Sequence, residues 1–151
     1  MRSALPVSKE LQMELRVAEV DEMPWVNERY KEIRFLASEA GRDIVLIAEV
    51  DGERAGIGRV VPLSSADAEM GGIYVFEQYR RCGIARKIVE GLLEQAADFT
   101  TIYCLAFDEL QEFYSSFGFS AVGTEDQVPE ELLKRLRWCN NIYSKRHGTL
   151  F

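Results

Sequence analysis

The stretch from Gly71 to Phe107 constrains the fold more than any other. "GGIYVF" reads as a strand and "YRRCGIA" as a turn. From Gly83 to Phe99, the pairs Ile84/Ala85, Ile88/Val89, Leu92/Leu93 and Ala96/Ala97 place apolar residues on one helical face about every turn. "TTIYCLAF" then reads as a buried strand. A strand, a helix of this length and a second strand make a βαβ unit, so the two strands lie parallel and adjacent.

The residues upstream predict a different pairing. "DIVLIAEV" is rich in β formers, Asp51-Gly52 is a hairpin signal, and "RAGIGRVV" reads as the return strand. Ser64 to Asp67 reads as another turn before "AEMGGIYVF", so three strands run antiparallel in series. "MELRVAEV" suggests a first strand, and Trp25, Val26, Tyr30, Ile33, Phe35 and Leu36 fall near helical spacing, giving one or two helices over 21–40. Downstream, "ELQEFYSSFGF" reads as a short helix stopped by Gly118. "FSAVGT" reads as a strand, Pro129 opens a helix through about Tyr143, and "GTLF" starts a final strand. The sum is a mixed, mainly antiparallel sheet flanked by helices.

A chain of 151 residues is most simply one domain, 1–151. Its acidic balance, with a pI near 4.9, argues against a general nucleic-acid binder. Cys82, Cys104 and Cys139 are odd in number and scattered, which gives no disulfide framework and no metal spacing. That usage fits a reduced, cytoplasmic setting. The N-terminus lacks a signal-peptide pattern, and the longest aliphatic run, Ile44 to Ala48, is too short to span a bilayer.

Arg80, Arg81, Arg86 and Lys87 surround Gly83, in a chain whose formal net charge is -7. Cations are disfavoured at a helix N-terminus, which is already positive. A bound polyphosphate resolves the conflict. Backbone N–H groups and the helix dipole favour an anion there, Gly83 permits close approach, and arginines pair with phosphate oxygens. The bland alternative is a solvated cationic surface. The Walker pattern does not occur, and the turn holds one glycine where a dinucleotide fingerprint needs three.

Arg80, Gly83 and Ala85 spell R-x-x-G-x-A, which resembles the Q/R-x-x-G-x-G/A signature of the GNAT superfamily of N-acetyltransferases. The context agrees: a strand precedes it and a helix follows. "FYSSFGF", about thirty residues later, resembles the family's aromatic-Tyr-x-x-x-Gly-Phe segment, and "EVDGERAGIGRV" sits where the family places its second and third strands. The resemblance covers Ile44 to Val122. It implies an α/β (α+β) fold with a six- to seven-stranded mixed sheet whose central parallel strands splay apart to admit acetyl-CoA. By matching, the backbone of Ile73, Tyr74 and Val75 would hold the pantetheine arm. Arg81, Cys82, Gly83, Ile84, Ala85 and Arg86 would wrap the pyrophosphate, and Arg80 would shape the turn.

The activity implied is direct acetyl transfer from acetyl-CoA to a primary amine of a small molecule, peptide or protein, without metal, nucleic acid or membrane, and with a homodimer as one assembly. Tyr114 matches the thiol-facing tyrosine, a general acid; the alternative is a core aromatic beside Phe113 and Phe117. Glu69 matches a position where some members carry a general base. Strand alternation places it on one face with Gly71, Ile73 and Val75; the alternative is an exposed strand-end carboxylate. Asp108 and Glu109 are further candidate bases, and Ala106-Phe107-Asp108 departs from an Asn that many members use to contact the cofactor. His147, the only histidine, reads as a surface residue, Cys82 as no nucleophile and Cys104 as core packing. Two other classes compete: a non-catalytic acyl-CoA-binding or regulatory protein on the same fold, and a nucleotide-binding protein using the same turn. The helices 25–40 and 129–143 are where acceptor choice would lie, the latter a lid, a dimer contact or a packed helix.

Overall fold

The computed structural model describes residues 12–107, 110–122, 128–142 and 148–150. In chain order it contains β1 (Met13–Val17), α1 (Met23–Glu32), β2 (Ile44–Val50), β3 (Glu53–Pro62), β4 (Asp67–Val75), α2 (Ile84–Gln95), β5 (Thr101–Phe107), α3 (Gln111–Ser115), α4 (Glu130–Ile142) and β6 (Gly148–Leu150). The six strands form one sheet in sequence order. Neighbours are antiparallel except β4 and β5, which are parallel, as the βαβ reading requires. The β2–β3 hairpin turns on Asp51 and Gly52, both at positive φ (50° and 83°), the geometry that matches the twist of the strands it joins.

Each face of the sheet buries one set of side chains. Leu46, Ala48, Val60, Ala68, Met70 and Cys104 pack beneath Ile84, Ile88, Val89 and Leu92 of α2. On the other face, Val45, Ile47 and Ile57 meet Met23, Val26 and Tyr30 of α1. Beside them, Leu132 and Leu133 of α4 cover Tyr103 and Leu105. The four α2 side chains are at most 2% exposed; burying each contributes about 1.5–3 kcal/mol.

One expectation needs correction. Phe119 to Val122 carries no strand, and residues 123 and 124 lie outside the described ones. The far edge of β5 pairs instead with β6, Leu105 opposite Leu150. Phe119 packs edge-on against Tyr114, 6.1 Å between ring centres. Of the one or two helices expected over 21–40, one α-helix forms, and the chain after it is irregular. Asn27 fastens it through paired bonds with the Ser38 backbone.

β4 carries the feature that positions everything else. Ile57 pairs with Tyr74, but Arg59 pairs with Gly71, so β4 spends one more residue than β3 over this interval. That is a β-bulge, with Gly72 at φ 61°. The bulge turns the Gly72 carbonyl out to accept the Tyr30 hydroxyl at 2.8 Å. Arg59 lies over the Tyr30 ring at 4.5 Å and donates to the Leu36 carbonyl and the Ser38 hydroxyl. The β4–β5 ladder runs from Asp67↔Thr101 to Met70↔Cys104 and stops there, although both strands continue. They splay, as expected from the resemblance.

At the opposite edge, Glu22 ties the start of α1 to the sheet. It accepts from both Arg16 nitrogens and from Arg54 at 3.0 Å, and its side chain is 11% exposed. The hydrogen-bonded Arg16 guanidinium holds its carboxyl down to about 2, from 4.5. A depressed carboxylate stabilises the fold above its unfolded value and loses that contribution as pH falls toward its folded one. Glu22→Gln is therefore expected to cost about 1–2 kcal/mol at neutral pH, allowing for solvent screening at the half-exposed arginines. In urea melts the gap between wild type and variant should close as pH drops from 4.5 toward 2.

Candidate active site

The end of the β4–β5 ladder brings the candidate residues together. Cys104 forms its last rung with Met70, and Glu69 the rung before it with Tyr103. Successive rungs face opposite sides of the sheet. Met70 and Cys104 belong to the α2 face together with Tyr114, and Tyr103 belongs to the α4 face. Glu69, 7% exposed, forms an ion pair with Arg135 of α4. Glu69 and Tyr114 thus flank the mouth of the splay from opposite faces of the sheet.

This corrects the expected grouping of Glu69 with Ile73 and Val75. Ile73 and Val75 pack on the α2 core, as Ala68 and Met70 do. The extra residue at the bulge reverses the alternation, and Glu69 falls on the other face, the one Tyr74 uses to reach α1. The bulge also divides the backbone groups. Phe76 donates to the Ala55 carbonyl at 2.9 Å, so by alternation the N–H and C=O of Tyr74 point to β3, where it pairs with Ile57. Those of Ile73 and Val75 point into the splay. Of the three residues matched to the pantetheine arm, Tyr74 has its backbone committed elsewhere.

Tyr114 sits on α3, 5% exposed, and its hydroxyl donates to the Cys104 sulfur. Burial pushes the phenol well above the usual tyrosine value, with Cys104 adding to the shift. Burial likewise pushes the Cys104 thiol up to about 12, the Tyr114 bond pulling the other way. Both groups are neutral at physiological pH. Cys104 was expected to do no more than pack; its sulfur also fixes the Tyr114 hydroxyl. Pairing residues ten apart across a strand and a helix leaves no pattern in the sequence.

The turn after β4 runs through a 3-10 segment (Glu77–Tyr79) into Arg80, Arg81, Cys82 and Gly83. Arg81 and Gly83 both have positive φ, 66° and 77°. Arg81 is in the left-handed region that non-glycine residues seldom occupy, and such strain concentrates at ligand-binding turns. Gly83 begins α2 with no side-chain cap, and a Cβ added there would meet nothing within 4 Å. No side-chain cap therefore closes the first turn of α2. Arg80 folds back, its Nε 3.3 Å from the Val75 carbonyl. Arg86 leans onto α3, donating to the Ser116 hydroxyl at 3.0 Å over the Phe117 ring at 4.5 Å. Arg81 and Cys82 are exposed, Ile84 is buried and Ala85 is partly buried.

Arg135 lies on α4, three residues after Leu132. It also contacts Glu131 at 3.1 Å, and Glu131 in turn lies 3.9 Å from Arg42. Asp108, Glu109 and His147 lie outside the described residues. Among the described residues there is no cluster of three metal-ligand side chains and no helix long and apolar enough to cross a membrane.

The profile of a family described as "Acetyltransferase (GNAT) domain" matches residues 41–121. No curated protein matches the sequence. Among solved structures, Rv2747 from Mycobacterium tuberculosis, in complex with CoA and NLQ, is similar with a TM-score of 0.68 and 19% identity over 91% of this chain and 98% of that one. N-acetylglutamate synthase from Neisseria gonorrhoeae, complexed with coenzyme A and L-arginine, aligns at 0.66 and 17% identity over 94% of this chain, which spans 33% of that one. The ribosomal-protein-S18-alanine N-acetyltransferase from Escherichia coli aligns at 0.63 and 17% identity, over 74% of this chain and 79% of that one.

Proposed function

Because the chain belongs to the GNAT family of acetyltransferases, we propose that it transfers an acetyl group directly from acetyl-CoA to a primary amine, with Glu69 as general base and Tyr114 as general acid. One observation carries this reading: a carboxylate and a phenol stand on opposite faces of the sheet at the point where β4 and β5 part.

The residues present fit the donor. The uncapped α2 terminus beside Gly83, flanked by exposed Arg81, suits a diphosphate. The gap-facing backbone of Ile73 and the Val75 N–H offer strand-like bonds to an amide-bearing arm, the Val75 carbonyl already accepting from Arg80. When bound, acetyl-CoA supplies the acetyl carbon, to which the amine nitrogen bonds as the carbon–sulfur bond breaks.

Glu69 accepts a proton from the acceptor ammonium, freeing the nitrogen lone pair. Tyr114 holds a proton at its hydroxyl oxygen for the departing sulfur and regains one from the nitrogen as the amide forms. A buried phenol is a weak acid. Burial, which pushes the Cys104 thiol up, would push a leaving thiol held beside Tyr114 in the same direction and narrow the gap the proton must cross.

The test is a panel of amines with free-thiol detection, alongside melting curves with coenzyme A. Acetyl-CoA should raise the melting temperature, and at least one amine should release coenzyme A. Tyr114→Phe should lower kcat by about 10²-fold with coenzyme A affinity unchanged. No melting shift at millimolar ligand overturns the proposal.

A second reading rests on the same geometry. Glu69 is engaged by Arg135 and Tyr114 by Cys104, an arrangement that also suits a protein that binds acyl-CoA without turnover. A melting shift with no amine consumed across the panel selects it.

A further inference from the structure

We infer that the acceptor carries an anionic group, a carboxylate or a phosphate, and that Arg59 receives it while Glu69 receives the amine. This deepens the proposed acetyl transfer and rests on it.

Arg59 and Glu69 share one face of the sheet. On β3, Ile57 packs in the α1 cluster and Arg59 lies over the Tyr30 ring of α1. Val61, two residues further on, pairs with Glu69, and Arg59 pairs with Gly71. Residues opposite one another in a ladder point to the same side, so Glu69, Gly71 and Arg59 face one way. Glu69 and Arg59 are diagonal neighbours, a relation that sets residues roughly 7–8 Å apart. Between them stands Gly71, where a Cβ would meet nothing within 4 Å. Tyr30 of α1 meets β4 at Gly72, and Arg135 of α4 meets it at Glu69. Neither covers Gly71, so the face is open between the two charged residues.

Arg59 suits an anion there. It is 8% exposed, and a buried cation is costly without compensation. Its partners among the described residues are all neutral: the Leu36 carbonyl, the Ser38 hydroxyl and the Tyr30 ring. Both hydrogen bonds come from Nη1, which leaves Nε and Nη2 to donate elsewhere. Asp43, whose charge also reaches Tyr30, is engaged already: it accepts from Arg42 at 2.8 Å and from the Glu39 N–H at 3.0 Å. The Leu36 and Ser38 bonds hold the guanidinium in place before any ligand arrives, which lowers the ordering cost of binding. A carboxylate or phosphate entering over Gly71 meets a planar fork of matching geometry. A diamine brings a second cation toward Arg59 and is repelled, and a neutral amine leaves the buried charge as it was.

The experiment uses linear primary amines of increasing length, matched except at the far end: carboxylate, phosphate, carboxamide or a second amine. Initial rates with acetyl-CoA are read by thiol release. At the best length, an anionic end should exceed the carboxamide by about 10²-fold in kcat/KM, and the better of carboxylate and phosphate identifies the group. Arg59→Gln should raise KM for that acceptor and leave kcat within a few-fold, with the carboxamide unaffected. Titration of the N-acetylated acceptor, in the presence of coenzyme A, should show the same loss of affinity. Arg59 also ties Leu36 and Ser38 to the sheet, so a second variant separates binding from folding. Gly71→Leu fills the open space with no close contact at its Cβ. It should lose the anionic acceptors while coenzyme A still raises its melting temperature.

Carboxamides or diamines consumed as fast as anionic amines would overturn the inference and leave acetyl transfer standing. So would a folded Arg59→Gln protein with the wild-type KM, or a Gly71→Leu protein that turns over the anionic acceptor at the wild-type rate. Failure of acetyl-CoA to bind, or of every amine to react, would overturn both.

Discussion

Glu69→Gln is expected to lower kcat by about 10²–10³-fold. The amide keeps the shape of the side chain and loses its ability to take a proton. The effect should depend on the acceptor. An amine of low basicity arrives already neutral and needs little help, so the loss should shrink as acceptor pKa falls. The acid limb of the kcat profile should flatten in the variant. Folding should survive, because Arg135 retains Glu131 at 3.1 Å; a melting curve checks this. Coenzyme A affinity should stay within about twofold, since the helix terminus and turn that would receive the diphosphate are untouched. A variant with kcat within threefold of wild type, under saturating acetyl-CoA, would remove Glu69 from the chemistry.

The second large effect is structural. Gly72→Ala should destabilise the fold by about 2–4 kcal/mol. An alanine at φ 61° is strained, and its Cβ would lie 2.7 Å from the Tyr30 hydroxyl and 3.1 Å from Arg59 Nε. Neither neighbour can yield: Tyr30 is 0% exposed, and Arg59 is 8% exposed and bonded to Leu36 and Ser38. Displacing Tyr30 also costs the Gly72 carbonyl its buried donor. Gly71→Ala provides the control. It lacks a positive φ and has nothing within 4 Å of the added carbon, so its cost should stay near or below about 1 kcal/mol. Urea denaturation reads both. If the bulge is what parts β4 from β5, coenzyme A binding by the residual folded Gly72→Ala protein should also fall, and Gly71→Ala should bind normally.

The contrast between those glycines shows what the chain makes legible. The βαβ unit and the Asp51-Gly52 hairpin could be read because each is a local pattern: apolar pairs at helical spacing, or a turn dipeptide between β-rich runs. The bulge had a local signal too, since adjacent glycines inside a strand often mark one. Treating β4 as perfectly alternating missed it, and a one-residue insertion was enough to send Glu69 to the wrong face. Phe119 to Val122 failed for another reason. Its apolar residues looked like a strand, but Phe119 packs against Tyr114, Val122 against the α4 cluster, and β6 took the available edge. The Arg135–Glu69 and Tyr114–Cys104 pairs join separate elements, and only the assembled sheet puts them together.

On the proposed reading, the bare first turn of α2 would tie the lifetime of the molecule to its ligand. A side-chain cap would contribute about 1 kcal/mol to the free protein, and Gly83 supplies none. A docked anion would replace it and, at a hundredfold excess over its dissociation constant, would favour the native state by about 2.7 kcal/mol. That shifts the unfolded population, the substrate of proteases, by roughly two orders of magnitude. Abundance in a cell would then rise with the supply of acyl donor.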